Sequence, residues 1–140
     1  VARPLSKGTK PRRAILSGMG LEGLTGWDRR RDFFVDVIDR REELKRGDDG
    51  WLALQFMKTT GIDPVGARHL LCAVEDDALD FEAMDMPILV LCGREDRDNG
   101  DPDALVAALP QGELAWVDGT HMSCVVKPEL GAEMVRFLSA

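Results

Sequence analysis

Met86-Pro87-Ile88-Leu89-Val90-Leu91-Cys92-Gly93-Arg94-Glu95-Asp96 is the stretch that decides how the chain is read. From Ile88 to Cys92 every residue is apolar, whichever face of a strand it falls on. A strand with one wet face would alternate, so this run predicts a parallel strand covered by helices on both sides. Gly93 ends it, and the residues up to Gly100 are charged and turn-rich. A helix is expected over 102–109, capped by Asp101, with Leu105, Val106 and Leu109 facing inward. Pro110-Gln111-Gly112 closes that helix, and 113–117 reads as the next strand. A loop holding His121 follows, then a final amphipathic helix over 128–139, with Leu130, Met134, Val135, Phe137 and Leu138 available for packing.

Working toward the N-terminus, residues 27–84 read as a helical insertion. Helices are expected over 28–45 (capped by Asp28), 51–60 and 64–74, followed by a short acidic connector or further turn over 76–81. Before the insertion, Ala14-Ile15-Leu16-Ser17-Gly18 predicts a buried strand ending in a tight turn. Gly18, Gly20, Gly23 and Gly26 then provide for close backbone approach, or a hinge, or only a flexible connection. Residues 1–12 read as a loop. The order strand, helical insertion, strand, helix, strand, helix is that of the α/β class, with parallel strands joined by helical crossovers.

Composition narrows the function. The chain has 140 residues and is 44% hydrophobic, enough for one domain with a core. Its net charge of −7 argues against a nucleic-acid partner, which demands clustered cations. Arg29, Arg30 and Arg31, and again Arg40, Arg41, Lys45 and Arg46, sit among carboxylates, as on a solvated helix face. No run is long enough to span a membrane. The start lacks the apolar segment of a signal peptide and an initiator Met, from which a segment of a longer chain is expected. Cys72, Cys92 and Cys124 lie in apolar stretches without metal-ligand spacing, and read as buried thiols of a cytoplasmic, reducing location. No metal and no cofactor are expected.

Chemistry in parallel sheets collects in loops at the carboxyl ends of strands. Here those are residues 17–26, 94–101 and 118–124. The second loop and the helix start after it hold Glu95, Asp96, Asp98, Asp101 and Asp103; the third holds His121. An Asp after one strand and a His after its neighbour can hydrogen-bond across the top of the sheet, fixing the imidazole tautomer as in the acid–base half of a triad. A loop histidine that is simply a surface group fits the spacing too. His69, beside Leu70 and Leu71 in an expected helix, reads as a surface or partly buried side chain.

From Met86 to Asp96 the chain resembles the acid-bearing segment of the α/β hydrolases, in which a proline precedes an apolar strand ending in Gly-x-x-Asp. The helix after it, the strand over 113–117, Gly119-Thr120-His121 and the closing helix continue the likeness. It covers 86–140 well and 13–26 as the strand that precedes the cap, while 27–84 matches a helical cap only by position and helicity. The resemblance implies an incomplete α/β-hydrolase sheet of about three parallel strands, with 1–26 and 85–140 as partial core and 27–84 as a cap-like insertion. It implies Asp96 as the acid and His121 as the general base, with Asp98 the alternative acid. Met19, Trp27 and Met122 are the candidates for a substrate pocket, and Trp51 and Phe56 are readable as pocket or as ordinary packing.

The nucleophile elbow G-x-S-x-G is missing. Ser17 has no preceding Gly and no long helix after it, and Ser6 and Ser123 fit no better. The resemblance therefore places the nucleophile and the oxyanion-hole donors before Val1. The expected function is the C-terminal part of a serine-type hydrolase, inactive alone, with a small-molecule ester as substrate. Its expected partner is the upstream half of the same fold, or a second copy joined through the exposed sheet edge. The alternative is a non-catalytic α/β module that binds a small molecule or a partner. Gly18-Met19-Gly20-Leu21-Glu22-Gly23 also matches the dinucleotide-binding G-x-G-x-x-G, but with the helix expected only at Trp27 it starts too late to receive a pyrophosphate.

Overall fold

The computed structural model describes residues 1–74, 78–97 and 99–140. The chain forms two compact units, Val1–Thr25 with Ala78–Ala140, and Gly26–Asp77.

The first unit is built on a three-stranded sheet in the order β1 (Ala14–Ser17), β2 (Ile88–Gly93), β3 (Gly112–Val117), with both pairings parallel. The expected α/β class and its parallel strands are thus observed. Ile88, Leu89, Val90 and Leu91 have no exposed surface. Fully burying each such side chain is worth about 1.5–3 kcal/mol, so the central strand contributes strongly to this unit's stability. Its side chains alternate between two cores. Ile88, Val90 and Cys92 pack with Ala14, Leu16, Leu105 and Leu109, whereas Leu89 and Leu91 pack with Val117, Cys124 and Phe137. Helix α6 (Pro102–Ala108) brings Leu105 to the first core, and α7 (Pro128–Ser139) brings Phe137 to the second. On α7, Leu130 and Met134 are partly buried, while Val135 and Leu138 face outward.

Residues 1–12 are not all loop. A one-turn helix, α1, runs Ala2–Ser6, and Ala2 and Leu5 are buried in the first core. Pro4 is tolerated because it lies in the first turn, where its missing N–H has no helical partner to lose. A second short helix, α2 (Leu21–Thr25), forms inside the glycine-rich stretch, earlier than the helix start expected at Trp27.

The second unit packs α3 (Trp27–Asp39), α4 (Trp51–Thr60) and α5 (Pro64–Ala73) around Val37, Ile38, Leu44, Leu54 and Met57. Helix α3 stops at Asp39 instead of continuing to residue 45, and Gly26, not Asp28, is its N-cap. Asp28 instead accepts a hydrogen bond from Arg31. The next helices begin and end where expected: Gly61 (φ 68°) caps α4, and Asp63 accepts from the amides of Val65 and Gly66 ahead of α5. Arg68 on α5 forms a bidentate pair with Asp39 at 2.9 and 3.2 Å. Cys72, expected to be buried, is exposed on α5, which turns Ala67 and Leu71 to the core instead. Asp76, in the expected acidic connector, lies outside the described residues. Among the described residues no helix is long and apolar enough to cross a membrane.

Candidate functional site

Asp96 and His121 meet at the carboxyl ends of β2 and β3. Asp96 follows Gly93 in a tight turn, with its amide donating to the Gly93 carbonyl at 3.0 Å. The same turn is fastened to the end of β3: Arg94 N–H donates to the Val117 carbonyl (2.9 Å) and Glu95 N–H to that of Gly119 (3.0 Å). Gly93 permits this fit, since a Cβ there would lie 2.5 Å from the Gly119 oxygen.

His121 is held by its own loop. Ser123 Oγ accepts from Thr120 N–H (2.8 Å), and Cys124 N–H donates to the Thr120 carbonyl (3.0 Å). The buried Cys124 thiol points to the His121 carbonyl at 3.4 Å. The two turns bring His121 Nδ1 to 2.8 Å from Asp96 Oδ2. The Asp96 side chain is 6% exposed and that of His121 38%. A carboxylate almost out of water strengthens a charge-assisted bond to an imidazole N–H, and the half-open ring keeps its other nitrogen within reach of a reactant.

The glycine-rich stretch after β1 borders this pair, and here it serves close approach. At Gly18 (φ 68°) a Cβ would lie 2.9 Å from His121 Cε1. At Gly20 one would lie 2.3 Å from the Gly100 carbonyl carbon, and at Gly23 2.4 Å from the Asn99 oxygen. Backbone bonds close the seam: Gly20 N–H donates to Asn99 O (2.7 Å) and Leu21 N–H to Asp101 O (3.0 Å). Glu22 accepts from Asp101 N–H at 2.7 Å. Protein backbone fills the space that a dinucleotide's pyrophosphate needs above these glycines, despite the short helix that opens there.

Asn99, read from sequence as a turn residue, has its carboxamide 3.0 Å from His121 Nδ1 and is 8% exposed. The only sequence signal for it was its place three residues after Asp96. Asp98, the alternative acid, lies outside the described residues. Met19 is half-buried, and its carbonyl accepts from the Cys92 thiol at 3.6 Å. Burial pushes the Cys92 thiol up from its ordinary range, keeping it protonated and unreactive at neutral pH. Met122 is largely exposed. Trp27 belongs to the helical unit, where its indole N–H donates to the Val74 carbonyl at 3.2 Å. Ser17 is exposed at the end of β1, and among the described residues no Ser, Thr or Cys side chain hydrogen-bonds to the His121 ring. Nor do three or more His, Cys, Asp or Glu side chains among them gather as a metal site.

No protein-family model matches the sequence, and no curated protein does. Among solved structures, the chain is similar to the protein named "Putative non-heme bromoperoxidase BpoC" from Mycobacterium tuberculosis H37Rv, with a TM-score of 0.59 at 18% identity. The match covers 91% of this chain and 57% of that one. The likeness is one of fold: three parallel strands and their helices correspond to part of an α/β-hydrolase fold.

Proposed function

We propose that this chain carries the acid and the general base of a serine-type hydrolase, Asp96 and His121, and does not turn over substrate until a nucleophile is supplied from outside it. The observation that carries the reading is the 2.8 Å contact between Asp96 Oδ2 and His121 Nδ1 at adjacent strand ends. With the proton of Nδ1 held by the carboxylate, Nε2 presents a lone pair. It takes the proton of an attacking hydroxyl, returns it to the leaving group, and then activates water for the second half of the reaction. Asp96 stabilises the imidazolium that forms in each half. A small ester is the proposed substrate class, with Met19 and Met122 beside it.

The test is hydrolysis of a short-chain p-nitrophenyl ester by this chain and by an extended polypeptide in which an upstream half bearing G-x-S-x-G precedes it. The extended polypeptide is expected to be active, and its His121→Ala variant to lose on the order of 10²–10⁴-fold. The 140-residue chain is expected to match the His121→Ala background. Turnover by the 140-residue chain alone would sink the reading and bring Ser17 forward.

A further inference from the structure

His121 Nδ1 has two neighbours that make opposite demands on it. Asp96 Oδ2 at 2.8 Å needs Nδ1 to carry a proton. The Asn99 carboxamide nitrogen at 3.0 Å needs Nδ1 to carry a lone pair. In the first case Nε2 is a base; in the second it is an N–H donor and cannot accept a proton. A lone pair on Nδ1 would also face an Asp96 oxygen lone pair across 2.8 Å, two acceptors opposed at hydrogen-bond distance, which costs more than one neutral hydrogen bond returns. A half-turn of the carboxamide resolves the conflict. It puts an oxygen of similar size where the nitrogen lies, and both neighbours then accept from one N–H.

We infer that Asn99 is a positioning residue for His121, with its side-chain oxygen turned to Nδ1 and sharing the proton that Asp96 accepts. The inference rests on reading His121 as the base. Two acceptors on one N–H restrain the ring's orientation as well as its tautomer, more than a single carboxylate does. Asn99 is itself fixed from the other side. Its carbonyl accepts from Gly20 N–H at 2.7 Å, and Gly23 leaves room for that carbonyl. A chain of contacts therefore runs from the loop after β1, through Asn99, to the imidazole.

The experiment is ¹⁵N and ¹H NMR of the 140-residue chain with labelled histidine. A His69→Gln background leaves one imidazole, and pH is raised until its ¹⁵N shifts stop changing. The expected spectrum has the proton on Nδ1 and a lone pair on Nε2. In Asn99→Ala the Nδ1 proton exchanges with water roughly two- to tenfold faster, the worth of one hydrogen bond. Asn99→Asp, which keeps an oxygen and has no N–H, restores slow exchange. A proton on Nε2 in the background, or an unchanged exchange rate in Asn99→Ala, overturns the inference. If Asn99→Ala does not fold, the background and Asn99→Asp still decide: Nδ1–H in both supports it, and a tautomer that switches between them overturns it. No substrate is involved. An inactive extended polypeptide whose His121 keeps its Nδ1 proton would therefore count against the hydrolase reading alone.

Discussion

The imidazole of His121 is bounded by a carboxylate, a carboxamide and a glycine. Strand-end spacing brought Asp96 and His121 forward as candidates, and the family resemblance, not the spacing, gave them their expected roles. Asn99 was not legible, because Asp-Asn-Gly has the composition of any turn, and the aim of a turn side chain depends on what lies opposite. Gly18 completes the ring's surroundings, and it can be tested against an internal control. Gly18 and Gly61 share a φ of 68°, but a Cβ at Gly61 meets nothing within 4 Å, whereas at Gly18 it reaches His121. Gly61→Ala is expected to cost about 1–2 kcal/mol for left-handed backbone alone. Gly18→Ala should cost more in denaturant unfolding, and the excess should disappear when His121→Ala is added. Equal costs for the two glycines would mean that the ring does not rest on Gly18.

At the scale of elements, two helices begin at Asp-Pro, Asp63-Pro64 and Asp101-Pro102, and of the two caps only Asp101 was expected from sequence. In both, the Asp side chain accepts from the first free amides. One-turn helices such as α1 and α2 leave no periodic trace. They form because tertiary burial fixes them, and a few residues cannot nucleate a helix unaided. An ion pair adds to the apolar packing between α3 and α5. The Arg68 guanidinium, by hydrogen bonding and then by charge, holds the Asp39 carboxyl below the usual carboxylate range. A carboxyl depressed in the folded state adds stability that is complete above its unfolded value and is lost as pH falls through the folded one. Asp39→Asn is therefore expected to lower the thermal midpoint slightly at neutral pH, and the gap from wild type should close below about pH 4. A gap that persists in acid would mean that the pair contributes by packing instead of charge. The site is exposed, so salt should shrink the effect.

For the whole molecule, the unanswered feature of the sheet is its β1 edge. Ala14 and Gly18 donate their amides to Pro87 and Leu91, so by the alternation of a parallel pair Ile15 and Ser17 point theirs away from β2. Such an edge accepts another strand, from a second copy or from another chain. The expectation is that the isolated chain self-associates in sedimentation velocity. Ser17→Pro removes one outward amide at an exposed position and should shift the chain toward monomer with its far-UV dichroism unchanged. A wild-type chain that sediments as a monomer at all concentrations would remove the edge from consideration. The match over 57% of a longer α/β-hydrolase-like chain makes the question concrete.

The sequence by itself determined the α/β order, the burial of β2, most helix starts and the two loops that carry Asp96 and His121. These follow from local period, capping residues and chain distance, which act over a few residues. Tertiary structure alone decided that the glycines serve close contact, that Asn99 faces the imidazole, that Ala2 and Leu5 join the core and that Cys72 stays outside. Each of these depends on which surfaces meet after the chain returns on itself, and side-chain type along a strand or turn does not encode that meeting.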